Sequence, residues 1–256
     1  MELADKVAVI TGGSGGIGKA MAKAFLREGA KAVVLADLSE EAVTAAAAEI
    51  GCDGITCDVT NEQQIINLVE QTLSKYGQID LFCSNAGAGA GGLLTDADNT
   101  IWQRQWELHV MSHLYAARAV LPHMIERGSG YLLNTASAAG LLAAIGSGPY
   151  TVTKAAAVKL AEFLAITHAD DGIKVSVLCP QGVNTAMAPK SLGDGQTDGI
   201  IEPEQLAKCV VDTLREERFH VLPHPEVEEY VRRKGDNVDR WLVGMQRLRR
   251  SSLGDD

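Results

Sequence analysis

The sequence predicts an α/β protein with a single, doubly wound parallel sheet of about seven strands and helices on both faces. Short apolar runs alternate along the 256 residues with segments of helical periodicity, which is the pattern of parallel strands joined by crossover helices. The runs are continuously apolar, as expected for strands buried on both faces. A hydrophobic fraction of 46% suits one domain spanning residues 1–256.

Each element has its own signal in the chain. Gly29 ends the first helix, a Thr60-to-Gln63 capping box opens the third helix, and Pro122 is expected to end a long helix. Pro149 and Pro203 suit the first turns of two later helices. The predicted strands are residues 7–10, 32–36, 54–57, 81–84, 131–134, 174–179 and 220–222. The predicted helices include residues 19–28, 60–76, 100–121 and 149–169, and one that begins at residue 203.

Composition narrows the class of protein. The chain carries 23 Lys and Arg against 33 Asp and Glu, a formal charge of −10. It therefore lacks the excess of basic residues with which nucleic-acid-binding proteins offset phosphate repulsion. The start does not read as a signal peptide, and no apolar run approaches the length of a membrane span. The five cysteines form no pattern with metal spacing. We expect reduced thiols, no metal, no nucleic-acid partner and a cytoplasmic location.

A glycine-rich turn follows the first predicted strand. Residues 11–18, with the sequence TGGSGGIG, satisfy both G-x-G-x-x-G and T-G-x-x-x-G-x-G. Glycines permit a tight turn in which backbone N–H groups approach a pyrophosphate, and the N-terminus of the following helix stabilises that charge. Because the turn joins a strand to a helix, the sequence predicts a Rossmann-type dinucleotide site.

The acidic residues after the second and third strands bear on the cofactor. Asp37 lies 19 residues beyond Gly18, where a carboxylate accepts hydrogen bonds from the adenine ribose and repels a 2′-phosphate. Neither Leu38 nor Ser39 is basic, so the predicted cofactor is NAD rather than NADP. The weaker alternative is that Asp37 caps the helix starting near Ser39. Asp58 either bonds the adenine amino group or caps the next helix.

Tyr150 and Lys154 form the most informative pair of the chain. They stand four residues apart after Pro149, and an i, i+4 pair on a helix points both side chains the same way. A phenol titrates near about 10, and a nearby fixed positive charge favours its ionised form. The sequence therefore predicts that Lys154 lowers the pKa of Tyr150, which then transfers a proton near neutral pH. Taken alone, the pair would be read as a surface Tyr and a solvated Lys.

These motifs, together with Ser137 thirteen residues before Tyr150, resemble the short-chain dehydrogenase/reductase family over residues 6–187. The resemblance implies that Tyr150 is the acid/base, that Lys154 holds the nicotinamide ribose, and that Ser137 stabilises the reacting oxygen. It also implies a homotetramer or homodimer joined through the helices at residues 100–121 and 149–169. The residues assigned to the cofactor are Gly12, Ser14, Gly16, Ile17, Gly18, Asp37, Leu38, Asp58, Val59, Asn85, Ala86, Gly87, Tyr150, Lys154, Pro180, Gly182, Val183 and Thr185.

Three positions depart from the family pattern. His109 replaces an Asn that commonly anchors a water in a proton relay to Lys154. It would either hold that water and titrate near neutral pH, or be a tolerated polar residue on the inner helix face; the relay is slightly favoured. Gln181 stands where the family has Gly, and would line the substrate mouth or shift its loop. Ser84 replaces the first Asn of a frequent Asn-Asn-Ala-Gly, a change expected to be harmless.

The last part of the chain, residues 188–256, resembles the family least and is expected to supply a lid and C-terminal helices on the substrate side. Residues 188–199, rich in Gly and Asp, are read either as a mobile lid or as a plain flexible connection. Residues 227–234 and 241–250 are predicted as helices with apolar and basic faces. They would cover the pocket, join subunits or bind an acidic partner, although such charges usually mark a solvated face.

Three functions remain open. The favoured one is an NAD-dependent oxidoreductase acting on a secondary alcohol or ketone, with Tyr150 and His109 among the catalytic residues. The second is an NADPH-dependent 3-oxoacyl thioester reductase that docks an acyl carrier on its basic helices, against which Asp37 argues. The third is a non-catalytic cofactor-binding scaffold. The residues assigned to the small-molecule substrate, whose aliphatic members favour an apolar compound, are Ser137, Leu141, Ile145, Tyr150 and Gln181.

Overall fold

The computed structural model describes residues 1–89, 92–186 and 198–253. These residues form a seven-stranded parallel sheet in the order β3-β2-β1-β4-β5-β6-β7, so the predicted doubly wound sheet is confirmed. All seven predicted strands are present. They are β1 (Val7–Thr11), β2 (Ala32–Asp37), β3 (Asp53–Thr56), β4 (Leu81–Ser84), β5 (Gly130–Thr135), β6 (Ile173–Leu178) and β7 (His220–Val221).

Helices follow the strands as the crossover pattern requires. The short helix α6 is not foreseen in the sequence, because four residues carry no periodicity. A π-helical turn at Glu107–Met111 joins α4 to α5, so that the two form one long helix. The helices are α1 (Gly16–Arg27), α2 (Glu40–Ile50), α3 (Glu62–Tyr76), α4 (Asn99–Trp106), α5 (Ser112–Glu126), α6 (Ala138–Leu141), α7 (Gly148–Thr167), α8 (Pro203–Glu216), α9 (Glu226–Asp236) and α10 (Val238–Leu253).

Two hydrophobic cores lie on opposite faces of the sheet. Successive strand residues point to opposite faces, so Val9 and Phe82 pack under α3, α5 and α7, whereas Ile10 and Leu35 pack under α1, α2 and α8. The central strands are buried on both faces, as their continuous apolar runs predict. The sheet is therefore a rigid platform whose strand ends hold the loops of the site.

Three local predictions need correction. β3 is only half buried, with an alternating pattern, because it lies at the edge of the sheet. Pro122 does not end the long helix, which continues to Glu126; full burial of Met124 in the core offsets the N–H that proline lacks. The N-cap of α3 is Asn61, whose side chain accepts from Gln64 N, rather than Thr60, because Asp58 draws Thr60 into the preceding turn.

The strand order reverses between β1 and β4. β1 pairs with β2 on one side and with β4 on the other, so the loops leaving β1 and β4 diverge to opposite faces. In open parallel sheets such a switch point opens a crevice at the carboxyl ends of the strands. No helix among the residues described is both long enough and apolar enough to cross a bilayer.

Candidate active site

A cavity of about 680 Å³ opens at this carboxyl edge, within the usual size range of small-molecule sites. Its lining includes every residue assigned to the cofactor from the sequence, and also Ser137 and Gln181. His109 lies behind the lining, and neither Leu141 nor Ile145 is part of it. The structure therefore brings together the glycine turn, the strand-end acids and the Ser, Tyr and Lys of the resemblance.

The backbone of the glycine turn packs so closely against its surroundings that Gly12 and Gly18 have no room for a side chain. Gly12 has φ +64°, and a Cβ on it would lie 2.9 Å from Ala86 Cα. A Cβ on Gly18 would meet the Gly12 carbonyl oxygen well inside van der Waals distance. The turn and the first turn of α1 therefore present only backbone to the cavity, as a pyrophosphate cradle requires.

Gly18→Ala is expected to destabilise the protein by about 1–3 kcal/mol, because the added methyl group forces the backbone of the turn apart. Urea unfolding measures the change. Gly15→Ala is the matched control, since its Cβ would come no closer than 3.3 Å to the same Gly12 oxygen. Equal losses in the two variants would contradict the close packing at Gly18.

Asp37 ties the end of β2 to the glycine turn. Its Oδ2 accepts hydrogen bonds from Ser14 N at 3.0 Å and Ser14 Oγ at 2.6 Å, and its Oδ1 accepts from Leu38 N at 2.8 Å. Ser39, not Asp37, caps α2 by accepting from Ala42 N. The carboxylate is therefore fixed at the rim of the cavity, and the alternative in which it serves α2 is excluded.

Asp58 holds the turn that precedes α3 while lining the same cavity. Its Oδ1 accepts from Thr60 N at 2.9 Å and Thr60 Oγ1 at 2.7 Å. The N-cap of α3 is Asn61. Asp58 therefore does not cap that helix itself, but fixes the turn that comes before the cap.

Asn85 joins three strand ends at the floor of the cavity. Its Nδ2 donates to Thr11 O at 3.0 Å, and its Oδ1 accepts from Thr135 Oγ1 at 3.2 Å. The Thr11 hydroxyl in turn accepts from the N–H groups of Asn85 and Ala86. Thus β1, β4 and β5 are held in register where the cofactor would cross the sheet.

Ser137, Tyr150 and Lys154 meet at the far end of the cavity. Lys154 Nζ donates to Thr135 O at 3.0 Å and lies 5.6 Å from the centre of the Tyr150 ring. Ser137 Oγ accepts from Ala139 N at 3.1 Å, which caps α6, and donates to Pro180 O at 3.3 Å. A proton donor, a neutral hydroxyl and an ammonium therefore converge on one point.

The pKa of Tyr150 differs from the sequence-based prediction. Burial raises it above its usual value, a hydrogen bond with Ser137 partly offsets this rise, and Cys179 adds a smaller increase. Burial also lowers the pKa of Lys154 to about 8. The predicted lowering of the phenol pKa by Lys154 is thus wrong, because loss of solvation is the largest cause of the shift and Lys154 is not among its causes.

His109 is fully buried and held at both ring nitrogens. Nε2 accepts from Ala88 N at 3.3 Å, so Nδ1 carries the proton and donates to Thr153 Oγ1 at 3.0 Å. A Cβ on Gly87 would lie 3.5 Å from both His109 Nε2 and Lys154 Nζ, which places the ring on the Lys154 side. Burial, then Lys154 and His113, lower the His109 pKa to about 2, opposite to the titration expected near neutral pH.

Stability is expected to fall as the pH drops below about 6.5, because burial also lowers the pKa of His113 to about 3. Between about pH 3 and pH 6.5 His113 is protonated in the unfolded chain but neutral in the folded protein. Each such histidine makes the free energy of unfolding fall by up to about 1.4 kcal/mol per pH unit. Urea unfolding at pH 7.5 and 5.5 measures the slope.

His113→Leu should flatten that dependence on pH, since it removes one of the two histidines concerned. His168→Gln is the control, because His168 lies at the partly exposed end of α7 beside Asp171. An unchanged slope in His113→Leu would contradict the assignment.

Several lining residues are not found from the sequence. Arg104, Glu107 and Leu108 of the long helix reach the cavity, although their spacing reads only as a helix face. The Thr135 carbonyl and the Ala88 N–H act through the backbone, which no side-chain motif signals. Across residues 1–89, 92–186 and 198–253, no group of three His, Cys, Asp or Glu side chains is arranged to hold a metal.

Comparison with known proteins adds a family to this geometry. The sequence profile described as short chain dehydrogenase matches residues 6–194. A 3beta-hydroxysteroid dehydrogenase 2 of Eggerthella lenta is 36% identical over 190 residues, covering 72% of this chain and 73% of that protein. A 1-deoxy-11-beta-hydroxypentalenate dehydrogenase of Streptomyces exfoliatus is 32% identical over 253 residues, covering 94% and 90%.

Solved structures agree with the sequence comparison. A short chain dehydrogenase/reductase of Burkholderia phymatum, solved in complex with NAD, superposes with a TM-score of 0.84 at 29% identity and covers 93% of this chain and 96% of its own. A short-chain dehydrogenase of Streptomyces avermitilis superposes with a TM-score of 0.82 at 28% identity, covering 97% and 98%.

Proposed function

The chain belongs to the short-chain dehydrogenase/reductase family of oxidoreductases, and we propose that it is an NAD-dependent enzyme that interconverts an apolar secondary alcohol and its ketone. The observation that carries this proposal is the meeting of Ser137, Tyr150 and Lys154 at one end of a cavity that begins at the glycine turn. Such a cavity holds a cofactor and a reacting carbon side by side, which is what hydride transfer needs.

The residues present fit a dinucleotide. The glycine turn presents backbone N–H groups at the N-terminus of α1, where a pyrophosphate is stabilised. Asp37 would accept hydrogen bonds from the hydroxyls of the adenine ribose, and Lys154 would hold the nicotinamide ribose. The Val183 backbone and Thr185 would face the nicotinamide carboxamide. When bound, NAD supplies the hydride acceptor.

The chain's own residues handle the proton. In the oxidative direction Tyr150 takes the proton of the substrate hydroxyl, the carbinol C–H bond breaks as hydride leaves, and a ketone remains. Ser137 donates a neutral hydrogen bond to the reacting oxygen, where charge develops. The Lys154 ammonium, held by Thr135 O, would stabilise the ionised phenol that takes this proton. His109 would hold the Ala88 backbone and the Thr153 side chain in place beside Lys154, without itself titrating.

NAD is proposed over NADP on the fixed position of Asp37. Its carboxylate already accepts two hydrogen bonds from Ser14, so it cannot swing away easily from a 2′-phosphate. Leu38 beside it is 68% exposed and offers no positive charge. A structural relative solved with NAD agrees with this preference.

An apolar, steroid-like alcohol is the substrate class we propose. One relative at 36% identity is described as a hydroxysteroid dehydrogenase, and another acts, by its name, on a hydroxypentalenate. Both names describe a hydroxylated substrate.

The acyl-carrier reductase alternative loses part of its support, that from α9. The arginines of α9 are paired within the helix: Arg232 with Glu229 and Asp236, and Arg233 with Glu229. A basic face neutralised in this way offers less attraction to an acidic carrier. Together with Asp37, this leaves the alcohol dehydrogenase as the better proposal.

A homotetramer or homodimer remains part of the proposal. Val152, Phe163 and Ile166 of α7 are exposed, and an apolar stripe of this kind suits a contact between two copies. Light scattering on the purified chain measures the mass directly. We also keep the cytoplasmic location as a proposal.

The experiment that tests the function follows the absorbance of reduced nicotinamide over a panel of secondary alcohols, with NAD and NADP in parallel. Turnover of a carbocyclic alcohol with NAD is the expected result. Turnover in the NADP arm alone, with 3-oxoacyl thioesters reduced instead, would replace the proposal by the reductase. Tight NAD binding without turnover of any panel member would favour the scaffold.

A further inference from the structure

The helix α9 is connected to the loop that follows β6 through one carboxylate. Tyr230 Oη donates to Asp198 Oδ1 at 2.9 Å, and Gln181 Nε2 donates to Asp198 Oδ2 at 2.9 Å. Because an Asp carboxylate accepts only, this contact fixes which end of the Gln181 amide faces it. Gln181 lines the cavity next to Pro180, so a residue of α9 reaches the site through a single intermediate.

The same helix is connected to the opposite wall of the site. Lys234, one turn after Tyr230, donates from Nζ to Leu141 O at 2.6 Å and to Leu142 O at 3.3 Å. These carbonyls end α6, where unpaired C=O groups favour a cation. Ser137 caps the other end of α6. Lys234 and Ser137 therefore hold the two ends of one four-residue helix.

Two further contacts keep α9 in place. The ring of His224, just before α9, accepts from Gln181 N at 3.3 Å through Nδ1. The Tyr230 ring packs on Trp241 of α10, with the ring centres 6.3 Å apart. Tyr230 therefore contacts α10 through Trp241 and the loop after β6 through Asp198. Of the segment 188–199, which the sequence predicts either as a lid or as a plain connection, residues 188–197 lie outside the described residues.

We propose that Tyr230 and Lys234 are positioning residues for the substrate side of the site. Tyr230 acts through Asp198 to orient the Gln181 amide, and Lys234 acts through the carbonyl end of α6 to hold Ser137 at its capped end. The inference rests on the proposed oxidoreductase function for its kinetic consequence, but not for its structural one. It names the residues through which α9 would act on the substrate side.

The kinetic test compares Tyr230→Phe and Lys234→Gln with the unchanged protein, using the best alcohol of the panel. A small displacement of positioning groups can cost up to about 10²-fold in rate, so we expect kcat/KM for the alcohol to fall by about 10- to 100-fold. The dissociation constant of NAD should stay nearly the same, because neither residue lines the cavity. Lys234→Arg should recover part of the loss, since Arg can also donate to the two carbonyls.

The structural test needs no substrate. Amide hydrogen exchange, read by mass spectrometry, should speed up at Gln181 and Asn184 in Tyr230→Phe, and at Gly140 and Leu142 in Lys234→Gln. Arg232→Gln is the matched control on the same helix, because Arg232 contacts only Glu229 and Asp236 among the described residues. Where Tyr230→Phe fails to fold, Asp198→Leu carries the same test, since it removes both acceptor oxygens, those that face Gln181 Nε2 and Tyr230 Oη.

The outcomes separate this inference from the proposed function. Faster exchange in the named segments without turnover by the unchanged protein would support the positioning contacts and overturn the oxidoreductase. Exchange and kcat/KM equal to those of Arg232→Gln would overturn the positioning role while leaving the function standing. An equal loss of NAD binding in both variants would also overturn it, because the effect would then be general unfolding.

Discussion

Tyr150→Phe is expected to lower alcohol turnover by about 10²- to 10⁴-fold, the range attributed to general acid–base catalysis, while NAD binding remains close to that of the unchanged protein. In the proposed reaction the ionised Tyr150 phenol takes the proton, whereas the ring alone still fills its place beside His109. Initial rates of nicotinamide reduction and a fluorescence titration with NAD measure the two quantities separately.

Tyr76→Phe is the matched control for this substitution. The Tyr76 hydroxyl donates to Asp53 Oδ2 at 2.5 Å, at the edge strand β3, and Tyr76 does not line the cavity. It should therefore retain turnover. Unreduced turnover by Tyr150→Phe would refute the acid/base role.

The second large effect concerns the choice of cofactor. Asp37→Asn with Leu38→Arg is expected to shift the ratio of NADP to NAD affinity by about 10²- to 10³-fold toward NADP, because like-charge contacts cost several kcal/mol and each 1.4 kcal/mol is tenfold. The Asn keeps the shape of the carboxylate, and Arg supplies a partner for the 2′-phosphate. Binding titrations with both cofactors give the ratio.

Asp58→Asn controls for the loss of a charge anywhere in the cavity. Asp58 lines the same cavity, but its Oδ1 is already engaged by Thr60. Its variant should leave the ratio nearly unchanged. A double variant at Asp37 and Leu38 that still prefers NAD as strongly as before would show that discrimination lies elsewhere.

The sheet could be predicted because its signals are local and strong. Every strand except the edge strand β3 contains a short apolar run, and the glycine turn needs its residue types for steric reasons that hold in any context. The cofactor side follows from the same logic, since strand ends of a parallel sheet meet at one edge. Asp37 could therefore be assigned to the cavity, although its hydrogen bonds to Ser14 could not.

Other features depend on contacts distant in sequence. The Asp58 turn displaces the α3 cap by one residue, and burial of Met124 carries α5 past Pro122. The pKa of Tyr150 was predicted from one neighbour, Lys154, but burial decides its direction. Burial likewise keeps His109 neutral, and no sequence pattern reveals the depth of a side chain.

The substrate side was the least predictable. Lys234 lies 92 and 93 residues from the two carbonyls that it contacts, and nothing in the spacing of α9 signals that partner. The prediction of helices in the C-terminal part is confirmed by α9 and α10, yet their charge pattern favoured a solvated face over a role at the pocket. Leu141, assigned from the sequence to the substrate, offers its backbone carbonyl to Lys234 and is not part of the cavity lining.

The central claim is that this chain moves hydride from the carbinol carbon of a secondary alcohol to NAD, with Tyr150 taking the proton. The most direct measurement uses a panel alcohol deuterated at that carbon and determines the mass of the reduced cofactor. The account predicts reduced NAD that carries one deuterium, formed far more slowly by Tyr150→Phe. Reduced NAD without deuterium, or equal transfer by Tyr150→Phe, would contradict it.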